Sequence, residues 1–396
     1  MKILIIDIAS FGNEDIVDAF RHLTDDGTCD SVEIALFPYE NNGDRRNAQF
    51  EERFAGVIRK ETPDFVFSFN YFPIISTVCE AEGVRYVSWV YDSPLVNLYS
   101  YTLINKCNAV FLFDSQMYDT FASQGIPTVH YLPMAVPARR LLQMEPSPEQ
   151  REQFRCDVSF VGSMYTEEFN LYERMEPHLD PYLKGYLDGI MTAQRQVDGV
   201  NFIESCLTGD IVDRLMKEYP VPTNPDGVET HAYMYAQYII NRKITGLERA
   251  EILKTAAAHF PLTLYTRDEK FTAPGIDNRG FVNYYTEMPY VFALSKVNLN
   301  ITLRSIQKGI PLRCFDILGC GGFLVTNYQE DFNRFFVPGE DYVYYEDRKD
   351  LVNKIGWYLR EDDRRQAIAE SGRRKVLQDH TFDVRVRQIL QVLRDA

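Results

Sequence analysis

Residues 299–326 read LNITLRSIQKGIPLRCFDILGCGGFLVT. The apolar run that ends near Thr302 has the make-up of a buried strand, and a polar, basic loop follows it. Gly309-Ile310-Pro311 then opens a helix, with proline suited to the first helical position. Phe323-Leu324-Val325 supplies the next buried strand. A strand, a helix and a strand in so short a stretch make a crossover unit of a parallel sheet.

Outward from this stretch, the same alternation fills the chain. In the first half, Ile3–Ile6, Val32–Phe37, Phe65–Phe67, Tyr86–Val90, Val110–Phe113 and Val129–Leu132 read as strands. Between them Glu14–Leu23, Asn47–Lys60, Ile74–Glu82 and Ser115–Gln124 carry apolar residues near the helical period. A second series holds Val158–Val161, Leu262–Tyr265, Gly280–Val282, Val297–Ile301 and Phe323–Val325. Two doubly wound α/β halves with parallel sheets follow, and ligands of such sheets bind beyond the carboxyl ends of the strands. The expected divisions are a Rossmann-like domain over 1–137, an exposed linker rich in proline and charge over 138–155, and a second Rossmann-like domain over 156–375. A helical insertion is expected over about 165–254, and a separate C-terminal helix over 376–396.

With 396 residues, 45% hydrophobic and 25% charged, the chain has room for two cores. Lys+Arg 42 against Asp+Glu 57 gives a net charge of -15, which repels nucleic acid and anionic lipid, so an anionic ligand needs a local basic pocket. Neither a signal-peptide core nor an integral membrane segment is expected, and the reading is cytoplasmic. The 7 cysteines are scattered without a Cys-x-x-Cys pair, and the 6 histidines, including His22 and His380, lack ligand spacing. Reduced thiols and no metal site are the expectation.

The basic loop carries the chemistry. Backbone N–H groups at the start of the helix beginning at Pro311 point toward an anion, with Arg304, Lys308 and Arg313 around them. Asp316 lies a little over one turn inside, where a carboxylate can accept hydrogen bonds from the vicinal hydroxyls of a ribose. A nucleotide fits that pairing. The competing reading makes the cations solvated surface charges and Asp316 a partner of Arg313, with Gly319, Gly321 and Gly322 closing the helix into a turn.

Three segments carry a family resemblance: NRGFVNYYTEMPYVFALSKVNLNIT, IPLRCFDILGCGGFLVTN and IAESGRRKVLQDHTFDVRVRQIL, from Asn278 to about Ile389. This stretch resembles the C-terminal domain of the CgeB-like (spore maturation protein) glycosyltransferases. FVFSFNYFP, YVSWVYDSP and HYLPMAVP in the first half resemble the domain that precedes it. The resemblance implies a GT-B architecture, two Rossmann-like domains facing a cleft, with the nucleotide-sugar donor on the C-terminal domain and the acceptor on the N-terminal one. In related retaining enzymes a Glu, seven residues and a second Glu mark the donor helix. Asp316 matches the second of these, but Lys308 stands at the first, which shifts that residue toward a phosphate role. The family-type FVGS is Phe160-Val161-Gly162-Ser163, which implies that Gly162 and Ser163 meet the diphosphate, with Gly309 in the same donor set. Basic residues that often follow this strand are missing from YTEEFN, so Arg304 and Arg313 are expected to substitute. The resemblance also implies that the terminal helix crosses back to the first domain.

Asp92 ends the run Tyr86–Tyr91 and is followed by Ser93-Pro94, at a strand's carboxyl edge. There it can take a proton from an acceptor hydroxyl or support the oxocarbenium-like centre; an Asp capping its own turn is the alternative. Ser10, Phe11 and Gly12 after the first strand, and Tyr71 and Phe72 after the third, are candidates for the cleft or the acceptor, with loop geometry and core packing as the alternatives. The expected function is transfer of a sugar from a nucleotide diphosphate-sugar donor to an acceptor glycan, protein or small molecule, metal-independent, retaining by analogy and without a cofactor. The alternative is a non-catalytic nucleotide-sugar binding or scaffold protein that kept the donor site.

Overall fold

Ile3, Leu4, Ile5 and Ile6 are at most 1% exposed because alternate side chains of their strand enter two different cores. Ile3 and Ile5 pack with Phe65, Phe67, Val87 and Trp89 on one face, and Leu4 and Ile6 with Val66, Tyr86 and Val110 on the other. Continuous apolar runs are the signature of a parallel sheet covered on both sides. In this computed structural model, which describes residues 1–9, 12–41, 43–166 and 170–395, the chain divides into two units. One comprises Met1–Pro137, Asn224–Glu229 and His380–Ala396, the other Ala138–Thr223 and Thr230–Asp379.

The first unit holds β1 (Lys2–Asp7), β2 (Glu33–Pro38), β3 (Phe65–Phe69), β4 (Arg85–Val90), β5 (Asn108–Leu112) and β6 (Val129–Tyr131). They form one parallel sheet in the order β2-β1-β3-β4-β5-β6. Helices α1 (Asn13–Asp25), α2 (Ala48–Glu61), α3 (Pro73–Glu82) and α4 (Ser115–Ala122) connect them. The terminal helix Phe382–Asp395 lays Phe382, Val386, Ile389 and Leu390 into the same core as Ile16 and Phe20 of α1. Asn224–Glu229 also belongs here: the Val228 N–H donates to the Tyr99 carbonyl at 2.8 Å and the Tyr101 N–H to that of Asp226 at 3.1 Å.

The second unit opens on α5 (Ala138–Leu142) and α6 (Pro148–Phe154). Residues 138–155, expected as an exposed linker, are thus part of this unit. Pro148 starts a helix instead of breaking one, Ser147 and Gln150 form a capping box, and Phe154 is buried. Then come β7 (Cys156–Val161), α7 (Leu171–Met175), α8 (Pro181–Gln194), α9 (Ile203–Cys206), α10 (Gly209–Glu218), α11 (His231–Met234) and α12 (Asn241–Ala257). Helices α7 to α10 and the wide π-type turn over Tyr235–Ile240 share a hydrophobic core of their own, with Leu183, Leu187, Leu215 and Ile239 at its centre.

The rest of this unit is β8 (Leu262–Tyr265), β9 (Ile276–Asn278), α13 (Met288–Leu294), β10 (Ser295–Asn300), α14 (Leu312–Gly319), β11 (Leu324–Asn327), β12 (Val343–Tyr345), α15 (Arg348–Tyr358) and α16 (Asp362–Asp379). The strands pair in parallel in the order β12-β11-β10-β7-β8-β9. The two doubly wound sheets expected from the alternation are both present. Two strand assignments change. Gly280–Val282 is a loop, because Gly280 adopts φ 75° and the strand itself is the polar edge segment Ile276–Asn278. The edge strand β12 is too short, three residues, for its period to stand out.

Candidate donor site

The second sheet reverses its strand order between β7 and β10, where Asn298 pairs with Ser159 and Leu299 with Phe160. A crevice outside the carboxyl ends of two such strands is where open α/β sheets bind ligands. Gly162 and Ser163 leave β7 at this point. The Gly162 N–H donates to the Tyr265 carbonyl at 3.0 Å, and a Cβ on Gly162 would come within 3.1 Å of the Phe160 ring. The Ser163 hydroxyl accepts the Tyr165 N–H at 3.0 Å.

Behind them stands Arg249 of α12, a residue that sequence reasoning passed over. Only 9% exposed, it donates to the Ile301 carbonyl from Nε at 3.1 Å and Nη2 at 2.7 Å, and to the Ser163 carbonyl from Nη1 at 2.5 Å. Its guanidinium lies over the rings of Phe160 and Tyr165, at 5.3 and 4.8 Å from their centroids. One buried cation therefore joins the segments leaving the two strands of the switch point. An arginine inside a long helix gives no sign of this in the sequence.

Pro311 is the N-cap of α14, with ψ 150°, and the helix begins one residue later than expected, at Leu312. Arg313 sits in the first turn, its Nη1 2.6 Å from the Met288 sulfur and its guanidinium over the Phe292 ring. Asp316, one turn on, is 7% exposed and accepts the Tyr284 hydroxyl at 3.2 Å. Tyr284 meets Tyr285 edge-on at 5.1 Å, and Arg140 lies over both rings. An acceptor carboxylate and a guanidinium on consecutive turns of α14, with a tyrosine hydroxyl against the carboxylate, can recognise neighbouring hydroxyls next to a phosphate.

The other two cations of the loop are engaged within the unit. Arg304, expected beside a diphosphate, instead grips Glu248 on α12: its Nε lies 2.9 Å from both carboxylate oxygens and its Nη2 2.5 Å from Oε1. Asp198 at 3.0 Å and the Val197 carbonyl at 3.0 Å add to this hold. The charge expected for a ligand is thus turned toward the buried Glu248 and the exposed Asp198, and Arg304 borders a cavity of about 390 Å³ shared with Arg195, Glu251, Tyr345 and Arg348. Lys308 reaches Glu330 at 3.2 Å, while its carbonyl accepts the Asp331 N–H at 3.0 Å. The Gly309 carbonyl accepts from the Gln329 amide at 3.2 Å. These contacts hold the loop against the segment after β11.

Asp92, Gly12, Tyr71 and Phe72 lie in the first unit. Asp92 is exposed, just beyond the carboxyl end of β4, and its Oδ2 accepts the Asn70 amide at 2.7 Å. Gly12 caps α1 with φ 89°, and the rings of Phe382 and Phe69 would lie 3.4 and 3.5 Å from a Cβ there. Ser10 and Phe11 lie outside the described residues. Tyr71 does not offer a stacking face to an acceptor: it is fully buried, stacked on Tyr86 at 5.8 Å, with its hydroxyl bonded to that of Thr102 at 2.8 Å. Burial pushes its hydroxyl up to about 12. Phe72 is half-buried and packs on Tyr39, ring centroids 4.4 Å apart. Among the described residues no group of three or more His, Cys, Asp and Glu is arranged to hold a metal ion, and no helix is long and apolar enough to cross a membrane.

Comparison with known proteins bears on the fold and on the second unit. Residues 244–391, from α12 to the terminal helix, match the family described as glycosyl transferase-like. No curated protein sequence matches the chain. Among solved structures, Anabaena Alr3699/HepE in complex with UDP and glucose is similar over 100% of both chains, with TM-score 0.53 and 12% identity. A glycosyltransferase from Rickettsia africae has TM-score 0.54 and 12% identity over 100% of this chain and 98% of its own. A sucrose-phosphate synthase from Thermosynechococcus elongatus has TM-score 0.54 and 10% identity over the same shares. At such identities the likeness is one of fold. Residues 244–391 thus match a glycosyl transferase-like domain, in a chain with the GT-B fold of two Rossmann-like domains.

Proposed function

We propose that the chain is a CgeB-like glycosyltransferase, in the cytoplasm, that moves a sugar from a nucleotide diphosphate-sugar to an acceptor hydroxyl. The observation that carries this reading is the first two turns of α14, where Asp316 accepts the Tyr284 hydroxyl and Arg313 sits one turn earlier, beside the β7–β10 switch point. Asp316 takes the ribose hydroxyls. Arg313, the α14 amides and the Gly162-Ser163 backbone take the diphosphate, and Gly309 gives the loop its close approach. Lys308 adds charge to the leaving group once released from Glu330.

Asp92 takes the proton of the acceptor hydroxyl or faces the developing positive charge at the sugar. We further propose retention of configuration, by family resemblance, with no divalent metal and no cofactor. The complexes of HepE with UDP and with UDP-glucose make uridine donors the first to test. One observation favours a non-catalytic binder: Lys308, where relatives carry an acid, is paired with Glu330. Turnover of UDP-glucose, UDP-N-acetylglucosamine, GDP-mannose and dTDP-rhamnose by the full chain, followed by release of nucleotide diphosphate, tests the proposal. Nucleotide binding with no turnover of any donor, with or without added glycan acceptors, is the result that favours the binder.

A further inference from the structure

Among the described residues, the non-glycine positions with positive φ are Ala9, Thr62, Asn70 and Tyr165. Thr62 ends a helix, while Ala9, Asn70 and Tyr165 lie in the segments leaving β1, β3 and β7. Left-handed backbone at non-glycine residues persists where surrounding contacts over-determine it, and it gathers at functional sites. At Asn70, with φ 58°, hydrogen bonds to β4 and the loop after it do so. The Asn70 N–H continues the ladder to the Trp89 carbonyl at 2.9 Å, and the turned backbone then aims the side chain across to the end of β4.

That side chain, on a residue 6% exposed, makes three hydrogen bonds. Its Oδ1 accepts the backbone N–H groups of Tyr91 and Asp92, each at 3.2 Å, and its Nδ2 donates to the Asp92 carboxylate at 2.7 Å. The orientation of the amide follows from chemistry: two backbone donors require the carbonyl oxygen, so the NH2 group must face Asp92. A purely structural clamp on the loop needs only Oδ1. The Nδ2 bond acts on the one side chain of this edge to which transfer chemistry has been assigned.

We infer that Asn70 is a positioning residue that holds the Asp92 carboxylate in its working direction for the transfer step. This rests on the proposed role of Asp92. An amide NH2 group only donates, so it fixes one carboxylate oxygen without competing for the acceptor's proton. A small misplacement of a proton acceptor costs orders of magnitude in rate.

The test uses the full chain, the four donors named above, and a double-mutant cycle. Asn70→Gly suits the left-handed backbone and removes all three bonds. Asn70→Asp keeps an acceptor for the two N–H groups and loses the donor. Both are expected to lower kcat at least 10-fold with donor KM within 2-fold of wild type. In the Asp92→Asn background, Asn70→Gly is expected to cost less than a further 2-fold. Wild-type kcat in Asn70→Asp, or an additive loss in the double variant, overturns the positioning role alone. Wild-type turnover in Asp92→Asn removes Asp92 and this inference together while leaving glycosyl transfer in place. No turnover of any donor by the wild-type chain overturns both this inference and the proposed function.

Discussion

The Arg304 guanidinium and the Glu248 carboxylate face each other across a forked ion pair, joining the loop after β10 to the middle of α12. Glu248 has only 10% of its side chain exposed, and burial pushes its carboxyl upward against the pull of Arg304. Removing one member of a largely buried pair leaves the other with its desolvation cost uncompensated, and typically costs about 3–5 kcal/mol. Arg304→Ala is therefore expected to show its main effect in denaturant unfolding. Glu248→Gln, which leaves a hydrogen-bond acceptor, is expected to cost less. A stable Arg304→Ala protein with weakened nucleotide binding would return Arg304 to the ligand.

Arg313→Ala and Asp316→Asn are expected to weaken binding of UDP by about one to two decades each, the loss of a charge-assisted contact worth about 1.5–3 kcal/mol. Calorimetry on folded variants checks this. Asp316→Asn keeps the size of the side chain, so wild-type affinity in that variant would take Asp316 out of the nucleotide site.

Turnover is expected to stay within 2-fold in excess chelator. In the proposed donor site positive side chains and helix N–H groups would neutralise the departing diphosphate, as a divalent cation does in other transferases. Loss of activity in chelator, restored by magnesium or manganese, would contradict it.

His380 gives a pH dependence of stability. Its Nδ1 lies 2.5 Å from the Arg385 guanidinium, which only donates, so the ring accepts there and is neutral. Burial, with the Arg385 charge second, lowers its pKa from 6.5 to about 3. The folded state thus binds this proton less readily than the unfolded chain. Stability from this group is full above about 6.5 and falls toward pH 3, with a slope of up to about 1.4 kcal/mol per pH unit. His380→Gln should flatten the fall of melting temperature between pH 6.5 and 4 relative to wild type. Equal slopes in the two proteins would show that His380 contributes nothing to it.

Much of the fold was legible because its determinants are local. The unbroken apolar runs at Ile3–Ile6 and Val158–Val161 announce strands covered on both faces, and a helical period between strands forces parallel crossovers. The same holds for Arg313 and Asp316: three residues apart on one helix, their shared face follows from helix geometry alone. Gly280–Val282 misled because an apolar pair after glycine resembles a strand, while the real edge strand Ile276–Asn278 has a polar centre. Residues 138–155 misled because proline starts helices as readily as it interrupts them.

What the sequence by itself determined about this protein is therefore its alternation, its two sheets and the helix that carries Arg313 and Asp316. Only the tertiary structure decided which charges and rings remain available. Arg304 looks like a phosphate ligand until Glu248, 56 residues away, takes its guanidinium. Arg249 looks like a surface charge until packing brings it to Ser163 and Ile301. Tyr71 looks like a stacking platform until Tyr86 and Thr102 bury it, and Asn70 like an ordinary loop residue until Asp92 arrives from the next strand. A chain encodes its local period in consecutive residues. The partner of a buried polar group is set by which distant segments the hydrophobic cores bring together, and no spacing along the chain records it.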